Sequence, residues 1–249
     1  LYTSRIQTAN SIEKLTDYDD YNLYRMQVRY DYDLDKMIAN TTADNQSFID
    51  AAVKQALPLL PVSIKAPTFG CSAFHIQETG GDHLMGRNYD FKRDTSAMLV
   101  CTAPKDGYKS IAFAALDNLG VNQADASTKA KIASLLAPFA CLDGINEKGV
   151  SCSATLSTSY NDDAKAADPT TEHAHKANPE VKNTGIGEYS YAGVILGESA
   201  TAREGVELIG SLIDEQGVCS NDQIVIADNT ETWLFAALSG HQWIAMKLT

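Results

Sequence analysis

The sequence predicts an α+β fold, in which strands and helices come in separate runs instead of regular alternation. Three observations carry this reading. Residues 70–116 hold four strand-like segments in close succession, residues 188–213 have helical periodicity, and residues 224–248 return to three strand-like segments. With 249 residues and 44% apolar content, the chain can bury a substantial core.

Residues 1–70 read differently from the rest. Tyr18, Tyr21, Tyr24, Tyr30 and Tyr32 are interleaved with Asp17, Asp19, Asp20, Asp31, Asp33 and Asp35, and residues 24–30 alternate like a strand. Asp44 or Ser47 can cap a helix through Phe48, Ile49, Ala52, Val53 and Leu57 that ends before Pro58 and Pro61. We read residues 1–70 as a small pro-segment packed on a main domain of residues 71–249; one continuous domain is the alternative.

Gly70 precedes Cys71, which opens a strand-like run through Ala73, Phe74 and Ile76. Gly80-Gly81-Asp82 turns the chain into a second strand carrying Gly86-Arg87-Asn88-Tyr89-Asp90-Phe91. This hairpin sets the Arg87 guanidinium and the Asp90 carboxylate near the start of the first strand. There a thiolate can use a fixed cation and an amine a fixed anion. Were the Gly70–Cys71 bond cut, Cys71 would carry both a thiol and an α-amine of pKa about 7.7–8.0, nucleophile and base on one residue.

Strands are expected at residues 97–102 and 110–116, then a helix within residues 124–137 with Ile132, Leu135 and Leu136 on one side. Asp143 to Gly149 reads as a tight turn, with Asn146 and Glu147 as turn residues, before a strand alternating Val150, Cys152, Ala154 and Leu156. Residues 157–187 read as a long polar loop. Residues 188–196 and 201–213 are helical; Thr201 and Glu204 form a capping box, and Val206, Ile209, Leu212 and Ile213 a buried stripe.

Composition excludes some classes. The net charge of −12 with scattered Lys and Arg argues against a nucleic-acid partner. No window approaches the ~18 apolar residues of a membrane span, and no signal sequence opens the chain. Since it begins at Leu1, an N-terminal segment is expected to have been removed or left out; secretion or the cell envelope is one reading of compartment, the cytoplasm the other. The five cysteines lack metal or disulfide-framework spacing, and all but Cys71 read as packing residues. His173 and His175 have no third ligand, so no metal is expected, nor any cofactor.

The Gly-Cys junction followed by GRNYD resembles the N-terminal-nucleophile (Ntn) cysteine hydrolases of the choloylglycine hydrolase and penicillin V acylase type. Arg87 and Asp90 follow Cys71 by 87 − 71 = 16 and 90 − 71 = 19 positions, the spacing of bile-salt hydrolases. Further on, INEKGVSCSAT, Ala167-Asp168-Pro169, GIGE at residues 185–188, TAREGVELIG and IADNTETWLFAALSGHQWIA resemble the dipeptidase A-type cysteine peptidases, a sister Ntn family. Together the resemblances span roughly residues 70–249. They imply a four-layer αββα sandwich, incomplete at the C-terminus because both families continue past Thr249.

They also imply chemistry: self-cleavage at Gly70–Cys71, with Cys71 as nucleophile, Arg87 favouring its thiolate, Asp90 holding the amine, and residues 1–70 plugging an inactive precursor. The expected substrate is a small linear amide or dipeptide. An acylase acting on N-acyl amino acids, bile-salt-like or penicillin-like amides is the runner-up, and a non-catalytic Ntn-fold binding protein with an internal Cys71 the third reading. Leu156 stands where the acylase branch places an oxyanion-hole Asn, so the identity of that donor is left open, a backbone N–H being able to serve. The oligomeric state, a homo-oligomer included, is left open.

Overall fold

The computed structural model describes residues 1–17, 22–34, 45–64, 70–90, 96–156, 161–167 and 185–248. A nine-stranded sheet forms its centre. In spatial order it runs β1 (Glu13–Lys14), β2 (Leu23–Gln27), β5 (Ala97–Thr102), β6 (Ser110–Ala115), β7 (Asp143–Asn146), β8 (Ser151–Thr155), β9 (Gln223–Ala227), β10 (Thr232–Ser239) and β11 (Gln242–Leu248). Among these described strands the β2–β5 pair is parallel and the other neighbours are antiparallel. β3 (Gly70–Gln77) and β4 (His83–Asp90) form a separate antiparallel hairpin, closed by Gly81 at φ +94°.

Period-two alternation divides the large sheet into two faces. One face carries Tyr24, Met26, Met98, Val100, Ala112, Ala114, Cys152, Ala154, Ile224, Ile226, Phe235 and Ala237, all buried. Helices cover it. With α1 (Thr3–Asn10), α2 (Asn45–Ala56), α3 (Thr128–Ser134) and α4 (Asp162–Ala167) preceding them, α5 (Glu188–Glu198) lies on β7 and β8, and α6 (Ala202–Gln216) on β9 to β11. The Thr201 hydroxyl caps α6 by accepting from the Glu204 N–H at 3.1 Å, as the sequence motif requires. The hairpin packs on the opposite face, with β3 against β8 and β9. The described contacts therefore define three layers, α, β and β, of an α+β fold.

Two expectations need correction. Asp143–Asn146 is a strand, not part of a turn, because its backbone pairs with both β6 and β8; the turn is confined to residues 147–149. The helix expected within residues 124–137 is shorter, covering Thr128–Ser134, with a 3-10 turn at Ala137–Phe139 where Pro138 lacks a backbone donor. The loop expected at 157–187 holds α4 among its described residues; His173, His175 and the rest of 168–184 lie outside them, as does Asp44. Residues 1–70 contribute β1 and β2 to the same sheet as residues 97–248, and α2 packs against α5.

Candidate active site

The hairpin register decides which side chains meet. Cys71 pairs with Tyr89 and Ala73 with Arg87, so all four side chains share the face turned toward the large sheet. There the Arg87 guanidinium makes three contacts. Its Nη2 donates to the Cys71 sulfur at 3.1 Å and to the Ala154 carbonyl at 3.3 Å, while Nη1 donates to Asp143 Oδ2 at 2.8 Å. The Arg87 and Asp143 side chains are 9% and 16% exposed, so their attraction is weakly screened. Tyr89 lies under the cation, with its ring centre 5.4 Å from Cζ, and its hydroxyl reaches Asn118 Oδ1 at 3.3 Å.

Asp143 is held as firmly as it holds. Its second oxygen accepts the Phe113 backbone N–H at 3.1 Å. The next residue, Gly144, has φ +150°, and a Cβ there would lie 2.6 Å from Leu196 Cδ1 and 2.7 Å from the Ile111 carbonyl oxygen. Glycine thus lets β6, β7 and α5 approach closely and sets the carboxylate under Arg87. Further along this strand, buried Asn146 donates to the Leu196 and Ser199 carbonyls and accepts from the Lys148 and Val150 N–H groups, a structural stitch between turn and α5.

The electrostatics at Cys71 are balanced. Burial raises its pKa most; the Arg87 cation and the Asp90 backbone N–H lower it, and the Asp90 and Asp143 carboxylates raise it again. The net effect is a thiol above its ordinary value. Cys141 and Cys152, fully buried nearby, are pushed up further by burial and by Asp143, which leaves them inert at neutral pH.

Asp90 is placed differently from Arg87. It pairs with Gly70, so its side chain projects from the opposite face of the hairpin to the thiol, where the Asn88 amide and, at 3.4 Å, the Ser72 hydroxyl donate to it. The Gly70–Cys71 junction lies directly across from it in the neighbouring strand. Leu156 follows the last residue of β8, two positions beyond the carbonyl that Arg87 contacts. A cavity of about 360 Å³ lies elsewhere, bordered by Asp31, Tyr32, Thr102, Tyr108 and Leu196, and none of Cys71, Arg87, Asp90 or Asp143 lines it.

Asp143 escaped the sequence reading. So did the buried pair of Glu188, which opens α5, and Asp222, which precedes β9. An Asp-Gly pair at the head of residues 143–149 fits a paired strand as well as a turn, and only the pairing with β6 and β8 separates the two.

The fold and site define a class: an α+β protein in which a hairpin cysteine is held against a buried Arg–Asp ion pair. The chain belongs to peptidase family C69, whose family model matches residues 79–249. It is 44% identical over 104 residues to Probable dipeptidase B of Streptococcus pyogenes serotype M3, covering 42% of this chain and 19% of the relative. It is 36% identical over 107 residues to Dipeptidase of Bifidobacterium longum, covering 42% of this chain and 20% of the relative. The matched stretch is thus about a fifth of the length of these relatives. Penicillin V acylase from Agrobacterium tumefaciens overlays 56% of this chain and 33% of its own at a TM-score of 0.32 and 14% identity.

Proposed function

We propose that this chain carries the nucleophile of a self-processing cysteine amidohydrolase that hydrolyses dipeptides. The observation that carries the reading is the 3.1 Å contact between Arg87 Nη2 and the Cys71 sulfur, in a chain whose relatives bear the name dipeptidase. Cys71 is half-buried, and the clamped guanidinium at its sulfur favours the thiolate over the thiol.

Processing comes first. The Cys71 sulfur attacks the Gly70 carbonyl carbon, the C–N bond breaks, and the amine receives the thiol proton. Water then hydrolyses the Gly70 thioester, releasing a carboxylate and restoring the thiol. The freed α-amine is the base that the uncut chain lacks. In turnover it takes the thiol proton as sulfur attacks the substrate carbonyl and delivers it to the leaving amine; water clears the second thioester. Asp90, in the strand beside the new N-terminus, holds the protonated amine, and Arg87 holds the thiolate. No residue in this scheme calls on a metal or cofactor.

Intact-mass spectrometry tests processing. Wild-type protein should separate into residues 1–70 and a piece beginning at Cys71, while Cys71→Ala stays whole; a wild type that remains whole overturns the reading in favour of a binding protein. Hydrolysis of a dipeptide panel set beside N-acyl amino acids and conjugated bile salts then decides the substrate. The second reading, an acylase, is favoured by the 16-residue spacing from Cys71 to Arg87, and faster turnover of the N-acyl substrates would establish it.

A further inference from the structure

We infer that residues 1–70 are a permanent subunit: after the cut the protein remains two interlocked chains. The inference rests on the cleavage at Gly70–Cys71 proposed above, but its grounds are separate. β2 is an interior strand of the nine-stranded sheet, paired with β5 from Leu23↔Ala97 to Gln27↔Cys101. The ladder continues at both ends, where the Ala97 N–H donates to the Asn22 carbonyl at 3.0 Å and the Val28 N–H to the Cys101 carbonyl at 2.9 Å.

Side chains lock the same boundary. Tyr24 and Met26 are completely buried, and Val28 and Tyr30 nearly so. The Tyr24 hydroxyl donates to Asp125 Oδ1 at 2.7 Å and the Tyr30 hydroxyl to the Leu135 carbonyl at 2.5 Å. The Tyr32 ring meets Phe139 edge-on with centres 5.0 Å apart, and Lys14 reaches Asp125 at 3.3 Å. On α2, Phe48, Ile49, Ala52, Val53 and Ala56 are buried, and the helix packs against α5. Hydrolysis at residue 70 consumes one water and one peptide bond and touches none of these contacts. Release of the segment would strip the β5 edge of its partner and uncover the core beside Met98 and Val100.

Exposure of the thiol does not require release. β5, β6 and β7 separate β2 from β8, on which the hairpin packs, so the segment's strand and the scissile bond occupy different parts of the sheet. The expected plug is in this respect a structural member.

The experiment cuts the chain independently of its own chemistry. In a Cys71→Ala variant, residues 65–69 are replaced by the recognition sequence of a site-specific protease, and the protein is cut under native conditions. Both pieces should then co-elute in size-exclusion chromatography at the volume of the uncut chain, without loss of the N-terminal piece, and part only in denaturant. Elution of the N-terminal piece by itself, whether or not the remainder stays in solution, overturns the inference. Wild-type protein that never cuts itself, beside an engineered cut that holds together, rejects the cleavage reading and leaves the interface standing.

Discussion

Arg87 divides one guanidinium between two acceptors, the Asp143 carboxylate with Oδ2 at 2.8 Å and the Cys71 sulfur at 3.1 Å. The nearer partner is the carboxylate. Asp143 thus fixes the cation in place and at the same time offsets the charge that the sulfur would otherwise feel in full.

Asp143→Asn separates these two effects. The amide retains the shape and a carbonyl acceptor for Arg87, but the negative charge that pushes the Cys71 thiol up is gone. Because a thiol reacts as its thiolate, whose fraction at pH 7 grows as the pKa falls, alkylation of Cys71 should accelerate several-fold. Iodoacetamide kinetics between pH 6 and 10 read this directly, and slower alkylation across the range would show that Asp143 acts only as a brace.

Arg87→Ala should act in the opposite direction. Cys71 loses the cation at its sulfur, alkylation at neutral pH slows, and any amide hydrolysis falls by roughly 10²-fold or more. Asp143 is left buried without its ion-pair partner, at a cost of about 3 kcal/mol in chemical denaturation. Arg87→Lys should recover little, since a single ammonium cannot span carboxylate, sulfur and carbonyl. Full activity in Arg87→Lys would count against the three-way contact.

A pH-dependent term in stability is expected from Asp222. It is fully buried, and burial and the neighbouring Glu188 push its carboxyl well above the ordinary range, while hydrogen bonds from Ser220 and Tyr191 pull it back. A carboxyl raised in the folded state favours the fold fully below its unfolded value of about 4, and that contribution is lost as pH rises through the folded value. Asp222→Asn, which imitates the protonated form, should therefore gain about 1–2 kcal/mol at pH 7 and nothing near pH 4. Urea unfolding at both pH values makes the comparison; a variant weaker at pH 7 would mean that the carboxylate is ionised and well paired.

Gly144→Ala should be costly for a residue that touches no substrate. The added methyl meets Leu196 and the Ile111 carbonyl below 3 Å in a backbone conformation that side chains avoid. A loss of about 2–3 kcal/mol is expected, together with slower Cys71 alkylation as Asp143 is displaced from Arg87. Normal thermal stability in this variant would show that β7 can shift without harm.

The hairpin was legible because its signals are local: a glycine-rich turn between alternating runs brings Cys71 and Arg87 to one face. The same rule applied to Arg87 and Asp90, three apart in one strand, places them on opposite faces, a consequence readable from spacing and confirmed in the register. What stayed hidden depends on distant pairing. Asp143 looked like a turn residue until β6 and β8 were seen on either side of it, and nothing near Asp222 in the sequence pointed to Glu188, which α5 brings beside it. The alternation at residues 24–30 announced a strand, but nothing in it named β5 as its parallel neighbour.

That parallel pairing has a kinetic side. Cys71 lies inside the connection between β2 and β5, two strands that end up adjacent, so a cut at residue 70 opens a closed loop and does not trim a tail. The uncut chain brings the two strands together within one molecule, at a rate independent of protein concentration. Once cut and denatured, the pieces must find each other by diffusion, and recovery becomes second order. With the proposed cut, the chain has one opportunity to fold as a single molecule, before cleavage, and dilution after unfolding should make the loss of the two-piece form irreversible.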